Sequence, residues 1–370
     1  MKLEIFDKYS RQRVGIIKVY DYLTYEDEMD GPGSFEIRIP TNIPEVKYLI
    51  EGNYIWFENN IVGIIKCIKD VEGEDYQLSI SGYLITYLLN YRCFIKTSQY
   101  YDEINDITTQ MLNELFINPE DTKRQMNFIS IQNNMPTFTD KIRVQNTGDS
   151  LMCYLAEMYL PYGLGFELCP IFTMIQEGEQ ISTFEFRLLK PVNRTYDNTD
   201  NNNPVVFSFD LSNLQSIEYE EDAKNYTNIA IVASEGTGQE RKVIEVGDTT
   251  SQGIDRIELY VDARDIQTDA DPEHPLTDEE LEELMEQRGK EKLEENQTFI
   301  SFEATVLETK YKYGVDFYKA DYVSVIDKNS KRIFNLQVNS VKKTVSNGIE
   351  HLDIYFGKDK LAIQNIKERR

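Results

Sequence analysis

The sequence predicts an α+β fold that is mainly β, with two β-barrels and a small α+β insertion domain between them. Two stretches far apart in the chain are similar, and each consists of three short alternating runs separated by turns. Alternation of this kind is typical of antiparallel strands. A repeat at so long a period indicates two domains of one type rather than a solenoid.

The repeat begins at Asn53 in the first copy and at Asp321 in the second. Tyr54 matches Tyr322, and Trp56 lies inside the first matched strand. In the second strand of each copy, Ile65 matches Val338, Ile68 matches Val341 and Lys69 matches Lys342. A glycine turn follows, at Gly73 or Gly348, and with a one-residue slip Leu78 then matches Leu352 and Ile80 matches Ile354. The alternative is an accidental likeness, since two unrelated hairpins share much of this pattern.

Residues 1–95 are predicted to form the first barrel. A turn at Gly31-Pro-Gly33 and a short closing helix over 84–90 accompany the strands. The predicted strand segments are 13–25, 34–40, 54–57, 61–69 and 75–82. Five or six strands with one helix make a barrel the economical architecture.

Residues 96–204 are predicted to form the insertion domain. One helix is expected over 101–116, and a second begins near 149 with Asp149 or Thr147 as its cap. The strands expected after these helices are 165–168, 171–175 and 184–189. The segment 197–203 is rich in Asn and Asp and predicts an exposed linker.

Residues 205–370 are predicted to form the second barrel, with some strands completing both barrels. A capping box at Thr277-Asp-Glu-Glu280 predicts a helix over 277–295. The strands expected before the second copy of the repeat are 205–209, 214–219, 228–233, 242–246, 257–261 and 299–309.

The charge balance disfavours nucleic-acid recognition. The chain has 39 Lys and Arg against 64 Asp and Glu, a formal net charge of −25, without a concentrated basic cluster. Such acidity keeps a protein soluble, or lets a polyanion pass without binding. No apolar run is long enough for a membrane anchor, and the N-terminus lacks the apolar core of a signal peptide. We therefore expect the cytoplasm, or a particle assembled there.

Catalytic motifs are scarce, so we expect no enzyme activity, no catalytic residue, no cofactor and no metal. Four scattered cysteines and two histidines cannot form a local zinc site. Asp316 and Asp321 are the acid pair most suggestive of a calcium or general-acid site, and a turn-setting role is the competing interpretation. The residues predicted to have a structural or interface role are Asn53, Tyr54, Trp56, Asp316, Asp321 and Tyr322.

An ordered series of short motifs resembles the siphophage tail proteins related to ReqiPepy6 Gp37. The motifs are Gly33–Pro40, Asn53–Phe57, Val62–Ile65 and Leu78–Gly82 in the first half, and Gly253–Arg264, Tyr313–Asp316, Asp321–Val325 and Phe356-Gly357 in the second. Ala320 departs from the pattern, because the resemblance leads us to expect glycine before Asp321.

Proteins of this family are similar to phage baseplate hubs and to the base of the type VI secretion spike. The resemblance implies a homotrimer with two tail-tube-like barrels per subunit. Three chains would present six barrels, adapt a six-fold tail tube to a three-fold tip, and form or close the DNA exit channel. The implied location is the tail tip of a virion assembled in the host cytoplasm.

The implied partners are the distal tail protein ring and the tail tube, with the tape-measure protein and adhesion proteins as further ones. DNA would pass without specific binding. Because the chain ends soon after the second barrel, we expect a hub without an enzyme of its own. The alternatives are a carbohydrate- or receptor-binding adhesin, with tyrosine-rich strands stacking on sugars, and a tail-associated cell-wall hydrolase.

Overall fold

The structure is a computed structural model that describes residues 2–71, 77–175, 178–236, 241–269, 275–297, 299–307, 310–327, 332–346 and 348–357. The predicted turn at Gly73 lies outside these residues. The first ten strands are β1 (Leu3–Phe6), β2 (Arg13–Ile17), β3 (Tyr22–Glu28), β4 (Ser34–Pro40), β5 (Tyr54–Glu58), β6 (Ile61–Val71), β7 (Gln77–Leu84), β8 (Ser98–Glu103), β9 (Ile129–Ile131) and β10 (Lys141–Asn146).

The later strands are β11 (Gly165–Ile175), β12 (Gly178–Leu189), β13 (Val206–Ser208), β14 (Leu214–Asp222), β15 (Ile229–Ala233), β16 (Val243–Gly247), β17 (Glu258–Asp262), β18 (Phe299–Val306), β19 (Tyr322–Asp327), β20 (Arg332–Ser346) and β21 (Ile349–Gly357). The α-helices are α1 (Ile104–Leu112), α2 (Leu151–Tyr159) and α3 (Asp278–Glu295). The fold is therefore α+β and mainly β, as the sequence predicts.

Both halves of the chain contribute to one thirteen-stranded sheet. Its main path is β14-β18-β21-β20-β3-β4-β7-β6-β5-β1-β2, while β19 pairs with β20 and with β13. The halves meet where β3 pairs antiparallel with residues 340–346 of β20. Among the described strands this path is open at β14 and β2, so closed barrels stay a prediction.

The two copies of the repeat begin with the same backbone pairing. Asn53 directly precedes β5, and Asp321 directly precedes β19. The Ile65 N–H donates to the Asn53 carbonyl (3.0 Å), and the Val338 N–H donates to the Asp321 carbonyl (2.9 Å). The predicted match of these four positions is confirmed.

The same equivalence extends across five strands. Both β6 and β20 have a bulge one residue later, and after it Ile68 pairs with Ile80 while Val341 pairs with Ile354. These are the residues that the sequence matches. Pairing then continues to β4 and β3 in one copy and to β18 and β14 in the other. The unit β3-β4-β7-β6-β5 thus corresponds to β14-β18-β21-β20-β19.

Each of these two units, called here the first and second repeated units, buries its own apolar cluster. The cluster of the first unit includes Leu23, Phe35, Ile55, Phe57 and Ile80. The cluster of the second includes Phe207, Val323, Val325, Val341 and Ile354. Since alternate residues of a strand face opposite sides, one face of each unit is left for other parts of the chain.

The segment between the units packs on the outer face of the first one. It contains α1, α2, the pair β8-β10 and the sheet β11-β12-β9, and its core takes in Tyr54, Val62 and Ile64 from the first unit and Phe6 from the adjoining strand β1. The second helix begins after Ser150, whose hydroxyl accepts a bond from the Cys153 N–H. The predicted caps Asp149 and Thr147 are therefore wrong.

A separate small sheet, β16-β15-β17, packs against α3. The predicted capping box is confirmed: the Thr277 hydroxyl accepts from the Glu280 N–H, and the Glu280 carboxylate accepts from the Thr277 N–H. Helix α3 also lies against β10 of the insertion segment, where Arg143 pairs with Glu280 and Glu283. None of the described helices is long and apolar enough to cross a membrane.

Ala320 lies at the position where the family resemblance predicts glycine. The backbone conformation at this position explains why glycine is expected there. Its φ is 73°, in the left-handed region, and Gly52 at the equivalent position has a φ of 88°. Both N–H groups bond to the neighbouring strand, at Val338 O (2.7 Å) and Ile65 O (2.9 Å). Ala320 therefore has a backbone conformation that is unfavourable for a residue with a Cβ atom.

We expect the A320G variant to be more stable than the natural protein. Left-handed φ costs a residue with Cβ about 1–2 kcal/mol, while glycine loses about 0.5–1 kcal/mol in chain entropy. The free energy of unfolding should therefore rise by about 0.5–1 kcal/mol, measured by urea titration with circular dichroism. The matched variant G52A should lower it by about 1–2 kcal/mol. A destabilised A320G would contradict the equivalence of the two turns.

Candidate functional site

A buried cluster of charged side chains lies where the two repeated units and the insertion segment meet. Lys319, in the loop before β19, is only 3% exposed. Its Nζ lies 2.5 Å from Asp27 Oδ1 on β3 and 3.0 Å from Glu167 Oε2 on β11. Tyr313 donates its hydroxyl to Asp27 Oδ2 at 3.0 Å. The cluster joins three parts of the chain through charge-assisted hydrogen bonds.

A thiol extends this cluster. The Cys169 Sγ–H donates to Glu167 Oε1 at 3.0 Å, so both oxygens of Glu167 have partners. Burial and the neighbouring Glu167 carboxylate raise the pKa of Cys169 well above its usual value. Cys169 therefore stays a protonated structural thiol rather than a reactive thiolate.

The pKa values of the three charged groups do not all shift in the same direction, because burial and ion pairing have opposite effects on each group. Burial raises the pKa of Asp27, and Lys319 offsets this only in part. Burial also acts to raise the pKa of Glu167, but Lys319 and the Cys169 thiol outweigh it and lower that pKa. Burial acts to lower the pKa of Lys319, and the two carboxylates reverse this and raise it. Lys319 is thus held as a cation.

A cavity of about 220 Å³ lies beside this cluster. Asp27, Glu167 and Tyr313 form part of its wall, and the β5–β6 turn and the loop before β19 form other parts. Lys343 on β20 spans the two units there, with its Nζ 2.8 Å from Glu58 Oε1. Within the described ranges no group of three His, Cys, Asp or Glu side chains is placed to hold a metal ion.

Asp316 and Asp321 both hold the loop that leads into β19. Asp316 accepts a bond from the Lys312 N–H at 2.7 Å. Asp321 is buried, accepts from the Tyr318 N–H at 3.0 Å and pairs with Arg194 at 2.8 Å. The partners of the two carboxylates are those expected of turn-setting residues. Their role at an interface between chains stays a prediction.

Asn53 has a part in the first unit like that of Asp321 in the second. Its Oδ1 accepts from the Lys8 N–H at 3.0 Å and its Nδ2 donates to the Tyr48 carbonyl at 2.9 Å. Asp321 Oδ1 likewise accepts from a backbone N–H of a distant segment, at Val192. Both side chains thus fasten another stretch of chain to the start of the repeated strand.

The aromatic residues among the predicted interface set have different surroundings. Tyr54 packs edge-on against Phe184 and Trp56 packs against Phe172, each with ring centroids 5.3 Å apart. Both therefore contact the insertion segment, and burial raises the pKa of Tyr54 to about 12. Tyr322, the counterpart of Tyr54, is 37% exposed.

Sequence reasoning did not identify Asp27, Glu167 or Lys319. Glu167 offered one signal, since it is a charged residue inside the otherwise apolar run Gly165–Leu168. Asp27 and Lys319 carried no such signal, because the burial of a surface-like charge depends on which distant segment covers it.

A family model matches nearly the whole chain. The model of the family described as Siphovirus ReqiPepy6 Gp37-like protein matches residues 2–358. The chain belongs to this family. The family resemblance seen in the short motifs is therefore confirmed.

Solved structures of prophage tail proteins have the same fold. Prophage tail protein gp18 from Listeria monocytogenes EGD-e is 10% identical, with a TM-score of 0.55 over 100% of this chain and 98% of that chain. The 43 kDa tail protein of prophage MuSo2 from Shewanella oneidensis is 11% identical, with a TM-score of 0.58 over 97% and 98%. The tail protein from Neisseria meningitidis MC58 is 13% identical, with a TM-score of 0.51 over 96% of each chain. The comparison with curated proteins finds no relative.

We expect K319M to be strongly destabilising at neutral pH, because it leaves Asp27 and Glu167 buried without their cation. Removing one partner of a buried ion pair costs about 3–5 kcal/mol. Without Lys319, burial raises the pKa values of both carboxyls in the folded state, so the folded protein binds more protons than the unfolded chain. The loss of stability caused by K319M therefore becomes smaller as pH falls. Urea unfolding at pH 7 and pH 5 measures both effects.

The matched control for this variant is R38M. It breaks a partly exposed ion pair with Glu36, which is worth about 0–1 kcal/mol. Adding D27N and E167Q to K319M should restore part of the stability and remove the pH dependence. If K319M were no more destabilising than R38M, the cluster would not hold the junction together.

Proposed function

We propose that the protein is a structural hub of a phage tail tip, in which three chains form a ring that adapts a six-fold tail tube to a three-fold tip. The observation that carries this proposal is the presence of two equivalent units in one chain, joined edge to edge by β3 and β20. A ring of three chains then has six equivalent units. Family membership over residues 2–358 supports a phage origin.

Each repeated unit would act as one tail-tube-like barrel of the assembled ring. We propose domain limits of 1–95 for the first, 96–204 for the insertion and 205–370 for the second with helix 277–295. The separate apolar clusters of the two units support this division. Asn53, Tyr54, Trp56, Asp316, Asp321 and Tyr322 would then shape the strand starts around which neighbouring barrels meet.

The acidity of the chain suits a channel that DNA crosses. A formal charge of −25 per chain repels a polyanion, so DNA would slide through such a ring without specific binding. The likeness to prophage tail proteins over nearly their full lengths supports a place in the tail. We propose that the ring, assembled in the host cytoplasm, binds the distal tail ring and the tail tube, and carries adhesion proteins or meets the tape-measure protein.

We expect the purified protein to be a homotrimer, with about three times the 43.2 kDa mass of one chain. Mass photometry and light scattering over a concentration series measure this, and negative-stain images should show a three-fold ring with a central channel. A monomer at all concentrations would overturn the hub. Cell-wall zymography should show no clearing, whereas a cleared band would support a hydrolase.

A further inference from the structure

We propose that β14 of one chain pairs antiparallel with residues 67–71 of β6 in a second copy of the chain. This contact would repeat between chains the one that β3 and β20 make within a chain. The inference rests on the proposed ring and adds which strand edges close it.

The contact between repeated units occurs once within the chain, and the chain also contains the two strands that a second contact of the same kind would need. Within the chain, β3 of the first unit pairs with β20 of the second. Their counterparts in the opposite units are β14 and β6. Among the described strands, β14 pairs only with β18, and residues 67–71 of β6 pair only with β7. Both counterpart edges thus have no partner among the described strands.

Burial differs between equivalent residues as this proposal requires. Val341 on β20 is fully buried, while its counterpart Ile68 on β6 is 40% exposed. Ser340 is also buried, and its counterpart Cys67 is exposed. The difference arises because β3 lies beside β20 and no described strand lies beside this part of β6. A neighbouring β14 would cover the apolar surface of Ile68.

The known contact also sets the register of the proposed one. Thr24 of β3 lies opposite Thr344 of β20, with their Oγ1 atoms 3.1 Å apart. Leu23 of β3 corresponds to Ile217 of β14, because Leu23 pairs with Ile37 of β4 and Ile217 pairs with Ala304, the equivalent residue of β18. The next residues along the two strands, Thr24 and Glu218, therefore correspond as well. Thr344 corresponds in the same way to Val71. Val71 of one chain should therefore lie opposite Glu218 of the next.

A pair of oppositely charged residues within the chain has a counterpart between chains in this register. Within the chain Lys342 lies opposite Glu26. The corresponding positions between chains are occupied by Lys69 on β6 and Glu220 on β14. Opposite charges at directly opposed positions stabilise an antiparallel pair. A second copy of this chain therefore matches the edge in register and in charge.

Contacts of this kind are head to tail, so they form a closed ring or an open filament according to the rotation at each step. In the proposed ring, contacts within and between chains alternate. Exposed strand edges bind other strands readily, and a different tail protein is the competing occupant.

The test introduces cysteines at the paired positions. In full-length protein with C67S and C93S, which remove the two exposed thiols, V71C/E218C should form a disulfide between chains under mild oxidation. Non-reducing electrophoresis should show most of the protein as a covalent trimer, and neither single variant should cross-link. T24C/T344C is the matched control, since its disulfide should form within each chain. D70C/E218C is shifted by one residue and should cross-link several-fold less.

The outcomes separate this inference from the proposed function. A trimer in solution without V71C/E218C cross-linking, or equal cross-linking by D70C/E218C, overturns the edge assignment and leaves the ring. A ladder of cross-linked species longer than a trimer supports the edge assignment and contradicts the three-fold ring. A monomer without cross-linking contradicts both.

Discussion

Lys319 holds two carboxylates, Asp27 and Glu167, inside the protein, and this ion cluster ties together the three parts of the chain at the point where they meet. A buried ion pair is weak evidence for stability, because desolvation opposes the attraction between the charges. Its effect here is on geometry. Asp27 lies opposite Val341 in the β3–β20 pair, so a slip of one residue would turn its carboxylate to the other face. Lys319 would then lose a partner, and the joint between the two units has one favourable register.

Because the two repeated units correspond residue by residue, a difference between equivalent residues shows how the two units differ in structure. Gly52 and Ala320 have the same left-handed backbone, although only glycine has it without strain. Asn53 and Asp321 use one side-chain oxygen in the same way, but the charge of Asp321 also pairs with Arg194. The second copy thus attaches the chain before β13 with an ion pair where the first uses a neutral amide.

The chemistry of the junction is that of a joint rather than of a reaction centre. Asp27 and Glu167 hold Lys319 as a cation by raising its pKa, both oxygens of Glu167 and of Asp27 have partners, and Cys169 is held as a protonated thiol. Groups that act in proton transfer or nucleophilic attack need a free position and a pKa near the working pH. The proposed structural hub would need neither, but it would need interfaces that repeat.

The sequence alone determined what depends on local pattern. Alternation located β4 and β5, the Thr277-Glu280 capping box located α3, and the matched residues of the repeat predicted the shared register of β6 and β20. These features depend on neighbours in sequence or on identity between two copies. The expected glycine at position 320 was also informative, because backbone conformation restricts residue type locally.

Only the tertiary structure decided what depends on distant partners. Strand β8 is the polar run Ser98–Glu103, and it is a strand because β10 lies beside it. The separation of β15–β17 from the large sheet depends on α3 covering them. Lys319, Asp27 and Glu167 resemble surface residues in the sequence. They are buried together because folding places three distant segments around one point, and no local pattern encodes that meeting.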